Sequence, residues 1–279
     1  MPLAGSSHCI IAADVHVVPK PFRAFAVRSE EPQHAMQARA PYGRVHVVHT
    51  GFLDAGSLAS LAAEGYARVS TRAFSDIDYA NTTLEDLAAS APRVTDLVGR
   101  IADAVRLTGV LGDDAAHYLS SVASRIDYLA SCGAGFHNDV ARHWSRCLFW
   151  ILALDVADVE FVLPHAGVRL MLTPGDLVVF DPTMAHGLCR PADRGQAVAT
   201  SFESGDPCRQ IFLTGELALT DTQWDALGVP WLPVEDHERR GALDLLVAEF
   251  DDRSGAVKRL RALRDGMKRS VCHVDDAND

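Results

Sequence analysis

From Gly135 to Ser204 the chain breaks into short apolar runs separated by turn signals at Pro164-His165-Ala166-Gly167, Pro174-Gly175-Asp176 and Pro191-Ala192-Asp193. Turns that recur about every 10 residues between β-branched and aromatic runs read as successive antiparallel strands, the pattern of a sandwich or barrel. Val168 to Thr173 and Leu177 to Phe180 are two such strands, and Gln210 to Leu219 adds one more. This section limits the rest of the chain to packing around an antiparallel core.

The flanks have other periods. Two β-branched runs, Cys9 to Val18 and Arg44 to Thr50, predict N-terminal strands, with a polar loop around Arg28 to Gln37 between them. From about Asp54 to Cys132 the spacing turns helical: Leu58, Leu61 and Ala62, then Leu84, Leu87 and Ala88, then Val94, Leu97, Ile101 and Val105. Thr83 followed by Glu85 and Asp86 predicts a helix start, with acids at the positive end of the dipole. Gly241 to Phe250 and Ala256 to Met267 read as amphipathic helices, free to cover a barrel opening or form a homodimer contact. The expectation is one catalytic domain over 1–279, with a β core at about 125–219, N-terminal strands and helices at 8–125 and C-terminal helices at 220–270.

Composition narrows the function classes. Apolar residues at 48% and charged residues at 23% are ordinary for a folded soluble chain. The net charge of −11, with Lys20, Lys258 and Lys268 as the only lysines, argues against nucleic acid as partner, since that affinity needs a basic surface. Six cysteines without a Cys-x-x-Cys pair suggest neither a zinc knuckle nor a disulfide scaffold, and fit a reducing, cytoplasmic setting. The most apolar run, Cys147 to Leu154, is far below the roughly 18 residues of a membrane helix, so no membrane partner is expected.

The chemistry concentrates in three residues. In an extended chain residues two apart share a face, so His137 and Asp139 of Gly135-Phe136-His137-Asn138-Asp139 can converge on one ion. His186 lies 47 residues beyond Asp139, at the end of another apolar run, and a barrel can fold it back to them. Two imidazoles and one carboxylate make a facial triad that suits iron(II), with positions left for a chelating co-substrate and dioxygen.

The order of these elements is more specific than any one of them: His-x-Asp, an apolar strand, a hairpin, Leu-x-x-x-Pro-Gly-Asp-Leu-x-x-Phe from Leu170 to Phe180, then His186-Gly187. In that order the chain resembles the iron(II)- and 2-oxoglutarate-dependent oxygenases, most of all their prolyl-hydroxylase-like branch, over roughly Tyr128 to Phe202. The resemblance implies an α+β fold with a double-stranded β-helix (jelly-roll, cupin-like) core and flanking helices. It implies iron(II) held by His137, Asp139 and His186, 2-oxoglutarate and dioxygen as co-substrates, and hydroxylation of a small-molecule or amino-acid-type substrate. An aspartate ligand, where halogenating relatives have a small residue, argues against halogenation.

The family sets a basic residue against the distal carboxylate of 2-oxoglutarate some nine to eleven residues after the second histidine. This chain departs from that pattern, with Gln196 in the interval; Arg194, eight residues on, is the expected partner, because a guanidinium matches a carboxylate as a two-pronged fork. The resemblance also implies Arg146 as a contact to substrate or co-substrate, and Tyr128 as a hydroxyl donor to 2-oxoglutarate. Two other readings stand beside this one: a cupin-like metalloenzyme without 2-oxoglutarate, and a jelly-roll binding protein without catalysis. His46 and His49 fall on opposite faces of a strand and do not make a second site.

Overall fold

Cys147–Asp155 is a strand with no polar alternation, and eight of its nine residues are buried. A strand with apolar side chains on both faces has to lie between two layers. The computed structural model shows both. It describes residues 7–10, 24–28, 37–39, 42, 44–49, 53–69, 78–105, 126–131, 134–137, 147–163, 168–184, 186–189, 210–235, 245–250 and 257–262.

The central layer is a seven-stranded antiparallel sheet in the order β1 (Ser7–Ile10), β4 (Val45–His49), β11 (Asp176–Phe180), β8 (Cys147–Asp155), β13 (Gln210–Ala218), β6 (Ile126–Ser131) and β5 (Asp78–Thr82). A second antiparallel sheet runs β10 (Val168–Met171), β9 (Glu160–Leu163), β12 (His186–Cys189), β7 (Ala134–His137). From β7 onward the chain passes between the two: β8 in the large sheet, β9 and β10 in the small one, β11 in the large, β12 in the small, β13 in the large.

Alternation along the strands sorts the core. Leu148, Trp150, Leu152 and Leu154 of β8 join a cluster with Leu58, Leu61, Leu87, Leu97 and Ile101 of the helical layer. Phe149, Ile151 and Ala153 face the other way, into a cluster with Phe161, Leu163 and Val168 of the small sheet. The large sheet is thus covered by helices on one face and by the small sheet on the other.

The helical layer follows the expected spacing, with one start as read. Helix α1 (Ala55–Arg68) is capped by Asp54, whose carboxylate accepts from the Ser57 N–H at 2.7 Å. Helix α2 (Leu84–Ser90) is capped by Thr83, with Glu85 and Asp86 in its first turn as read from sequence. A 3-10 turn, Pro92–Asp96, leads into α3 (Leu97–Ala104).

A third sheet has the order β2 (Ala24–Arg28), β15 (Leu245–Phe250), β16 (Val257–Ala262), β14 (Trp231–Glu235), β3 (Gln37–Arg39). It corrects the expectation of C-terminal helices: Leu245–Phe250 and Val257–Ala262 are antiparallel strands, and the helix described beyond residue 219 is the short α4 (Asp221–Ala226). A six-residue stretch such as Leu245–Phe250, apolar but for Glu249, is too short to fix a period of its own, and pairing with β2 and β16 decides its form. Of the expected N-terminal strands, Arg44 to Thr50 is present as β4, while β1 overlaps the run from Cys9 to Val18 at its first two residues and 11–18 lie outside the described residues.

Candidate functional site

His137 ends β7 and His186 begins β12, and the two are directly opposite in the antiparallel register. Opposite positions in such a pair share one face of the sheet, with Cβ atoms typically about 5 Å apart. The pairing then skips, with Leu188 opposite Ala134, so β7 carries one extra residue beside the paired histidines. A bulge of this kind re-aims local side chains and is common next to functional sites.

His186 is buried, 7% exposed, with its ring centre 4.8 Å from that of Phe180 and 6.3 Å from that of Phe161. Both phenylalanines belong to the cluster between the two sheets. Nδ1 of His186 lies 2.8 Å from the Met184 carbonyl oxygen. A carbonyl only accepts, so Nδ1 carries the proton and Nε2 carries the lone pair a metal would use. Metal-binding imidazoles are commonly oriented in this way, by a carbonyl on the nitrogen away from the ion.

The turn before β12 is held by a residue that the sequence reading passed over. Asp181 Oδ1 accepts from the Thr183 N–H at 2.9 Å and the Thr183 hydroxyl at 2.6 Å, while Oδ2 accepts from the Tyr42 N–H at 2.7 Å. The Met184 N–H closes the turn on the Asp181 carbonyl at 3.1 Å. Burial pushes the Asp181 carboxyl above its usual range, against the hydrogen bonds from Thr183 and Tyr42. The available signal was Asp181-Pro182-Thr183, a turn sequence in which an Asp side chain bonds the backbone two residues on.

Of the six residues expected from sequence, His137 and His186 are paired in register across β7 and β12. Asp139, Arg146 and Arg194 lie outside the described residues. Among the described residues no group of three His, Cys, Asp or Glu gathers around one point. Tyr128 lies elsewhere: it is fully buried in the helix-facing cluster, with its ring against Arg68 of α1 at 5.9 Å, while its neighbour Leu129 faces the small sheet. Its hydroxyl finds no hydrogen-bond partner at ordinary distance, and burial, then the nearby Glu64 charge, push the phenol above its usual range. This placement, across the sheet from the cluster that walls His186, does not support a contact between Tyr128 and a co-substrate bound at the histidines.

No family model and no curated protein matches the chain. Among solved structures it is similar to a prolyl-4-hydroxylase from Pseudomonas putida, at 15% identity over 67% of this chain and 95% of that one, with a TM-score of 0.39. It is similar to the viral collagen prolyl hydroxylase of Paramecium bursaria Chlorella virus-1 in its 2OG complex, at 10% identity over 67% and 98%, TM-score 0.37. A third is SnoN, a non-heme alpha-ketoglutarate-dependent epimerase from nogalamycin biosynthesis, at 18% identity over 78% and 93%, TM-score 0.35.

Proposed function

We propose that the chain is an iron(II)- and 2-oxoglutarate-dependent dioxygenase with a double-stranded β-helix core, hydroxylating a C–H bond of a small-molecule or amino-acid-type substrate. The cross-strand pairing of His137 with His186 carries this reading. It supports two imidazoles within reach of one ion, and Asp139, two residues beyond the end of β7, is the carboxylate in sequence to complete the set. The passage of the chain between two facing antiparallel sheets supports the β-helix core.

Iron(II) held by these three residues, with 2-oxoglutarate and dioxygen, supplies an oxidation in which 2-oxoglutarate is converted to succinate and carbon dioxide and one oxygen atom enters the substrate. The chain's own part is orientation and shielding. The Met184 carbonyl holds the proton on Nδ1 of His186 and so keeps Nε2 as a donor atom. Phe180 and Phe161 wall the imidazole with apolar surface, which excludes water and strengthens charge interactions. Arg194 is assigned the distal carboxylate of 2-oxoglutarate through a two-pronged charge-assisted bond, and Arg146 a contact to substrate or co-substrate. A cytoplasmic setting and a small-molecule partner complete the reading; among the described residues no helix is long and apolar enough to cross a membrane.

The test is anaerobic iron(II) titration followed by succinate measurement after 2-oxoglutarate and air are added. One iron per chain and iron-dependent succinate are expected. His137→Ala, Asp139→Ala and His186→Ala should each weaken iron binding by more than about tenfold, since changes to outer partners of metal ligands already cost about 10- to 100-fold. Iron binding without succinate would point to a cupin-like enzyme that does not use 2-oxoglutarate. Wild-type iron binding in any alanine variant would remove that residue from the site.

A further inference from the structure

We infer that Asp181 is a positioning residue for His186, acting through the turn Asp181–Met184 rather than by touching the metal. The inference rests on the reading of His186 as a metal ligand.

A continuous path of hydrogen bonds connects the two side chains. The Asp181 carboxylate takes the N–H and hydroxyl of Thr183, at 2.9 and 2.6 Å, which fixes the middle of the turn. Its backbone carbonyl takes the Met184 N–H at 3.1 Å, which fixes the peptide that follows. The carbonyl of Met184 then takes Nδ1–H of His186 at 2.8 Å. Met184, 1% exposed, is therefore held on one side by Asp181 and itself holds the imidazole on the other. Rotation of this turn would swing the carbonyl away from Nδ1 and free both the tautomer and the ring angle of His186.

The second Asp181 oxygen anchors the turn to the large sheet. It accepts the Tyr42 N–H at 2.7 Å, three residues before β4. Tyr42 in turn stacks on His46 within β4, at a ring separation of 5.6 Å. With three donors on its two oxygens, Asp181 is already committed, and it is not a competing candidate for the third metal ligand. A carboxylate is suited to this place because a single amide oxygen cannot serve donors arriving at both of its ends. Outer partners of this kind, which fix a histidine's tautomer and angle, typically carry about 10- to 100-fold of a site's metal affinity.

The probe is cobalt(II) alone, titrated into the full chain and followed by its visible absorption, with thermal melting of each apo variant measured in parallel. Asp181→Asn should weaken cobalt binding about tenfold and alter the absorption of the bound ion at temperatures where the variant is folded. Thr183→Val, which removes one donor and keeps the backbone, should weaken it severalfold, and Thr183→Ser should restore it. A purely structural role would lower the melting temperature of Thr183→Val and leave affinity and spectrum unchanged. His186→Ala separates the two levels of the argument. If it binds cobalt as the wild type does, the ligand reading fails; if it loses cobalt while folded Asp181→Asn and Thr183→Val keep wild-type affinity and spectrum, the positioning role fails. Should Asp181→Asn not fold, the Thr183 pair decides the question alone.

Discussion

Tyr128 and Leu129 are adjacent in β6 and face opposite layers, and this one-residue difference separates a packing position from the face that carries the candidate site. Tyr128 sits under α1 with a buried hydroxyl that finds no hydrogen-bond partner at ordinary distance and has the Glu64 carboxylate nearby, so its oxygen adds little net stability. Tyr128→Phe should leave stability unchanged or raise it by about 1 kcal/mol, a gain readable in urea titration. Alkaline pH provides a second readout. Because the folded phenol's pKa is raised, first by burial and then by Glu64, the fold favours the neutral form. The associated stability is fully present below the ordinary tyrosine pKa of about 10 and is lost as pH rises above it toward the folded value. The wild type should therefore lose stability more steeply than Tyr128→Phe above about pH 10. Parallel curves would show that Tyr128 is not held neutral by its surroundings.

Two glycines in the helical layer make opposite demands on their elements. Gly65 lies in the last turn of α1, where an added Cβ would come within 2.7 Å of Tyr128 Cδ1 and 2.9 Å of Ile211 Cγ1. Those approaches are closer than side-chain carbons tolerate, so the glycine lets α1 lie flat on β6 and β13. Gly99 in α3 is exposed, and a Cβ there would meet nothing within 4 Å. Replacing glycine by alanine inside a helix gains about 1 kcal/mol of propensity, while overpacking costs about 1–3 kcal/mol. Gly99→Ala should thus stabilise by up to about 1 kcal/mol and Gly65→Ala should destabilise by about 1–2 kcal/mol, both checked by chemical unfolding. Stabilisation by both would mean that α1 does not rest on the sheet at Gly65. Gly215 is a similar close-approach position, facing the Trp150 ring.

At the scale of the whole molecule, Arg39 joins the third sheet to the segment that follows β13. Its guanidinium donates to the Val229 carbonyl at 2.7 Å, the Asp221 carbonyl at 3.0 Å and the Asp225 carboxylate at 2.5 Å, and it lies 4.4 Å over the Trp231 ring. Arg39 is 6% exposed and Asp225 64%, so the carboxylate can return to water while the Val229 carbonyl, in a buried bond, cannot follow. Arg39→Leu should cost about 2 kcal/mol through the orphaned Val229 carbonyl, and Asp225→Ala less than about 1 kcal/mol. Equal losses in unfolding experiments would assign the contact to charge pairing instead. These bonds span 182 to 190 residues, far beyond any local pattern. The same division by range runs through the rest of the molecule. Sequence by itself determined the features set within a few residues: a helical period from about Asp54, a helix start at Thr83 with acids after it, an apolar strand between the His-x-Asp pair and the hairpin, and that pair with a distant histidine. Only the tertiary structure decided that His137 lies opposite His186, that Tyr128 faces the helices, that Leu245–Phe250 is a strand, and that Asp181 holds the turn before β12. Helix periods and caps are written in neighbouring residues, whereas strand register, the layer each face meets and the partners of a buried carboxylate depend on side chains brought together from distant parts of the chain.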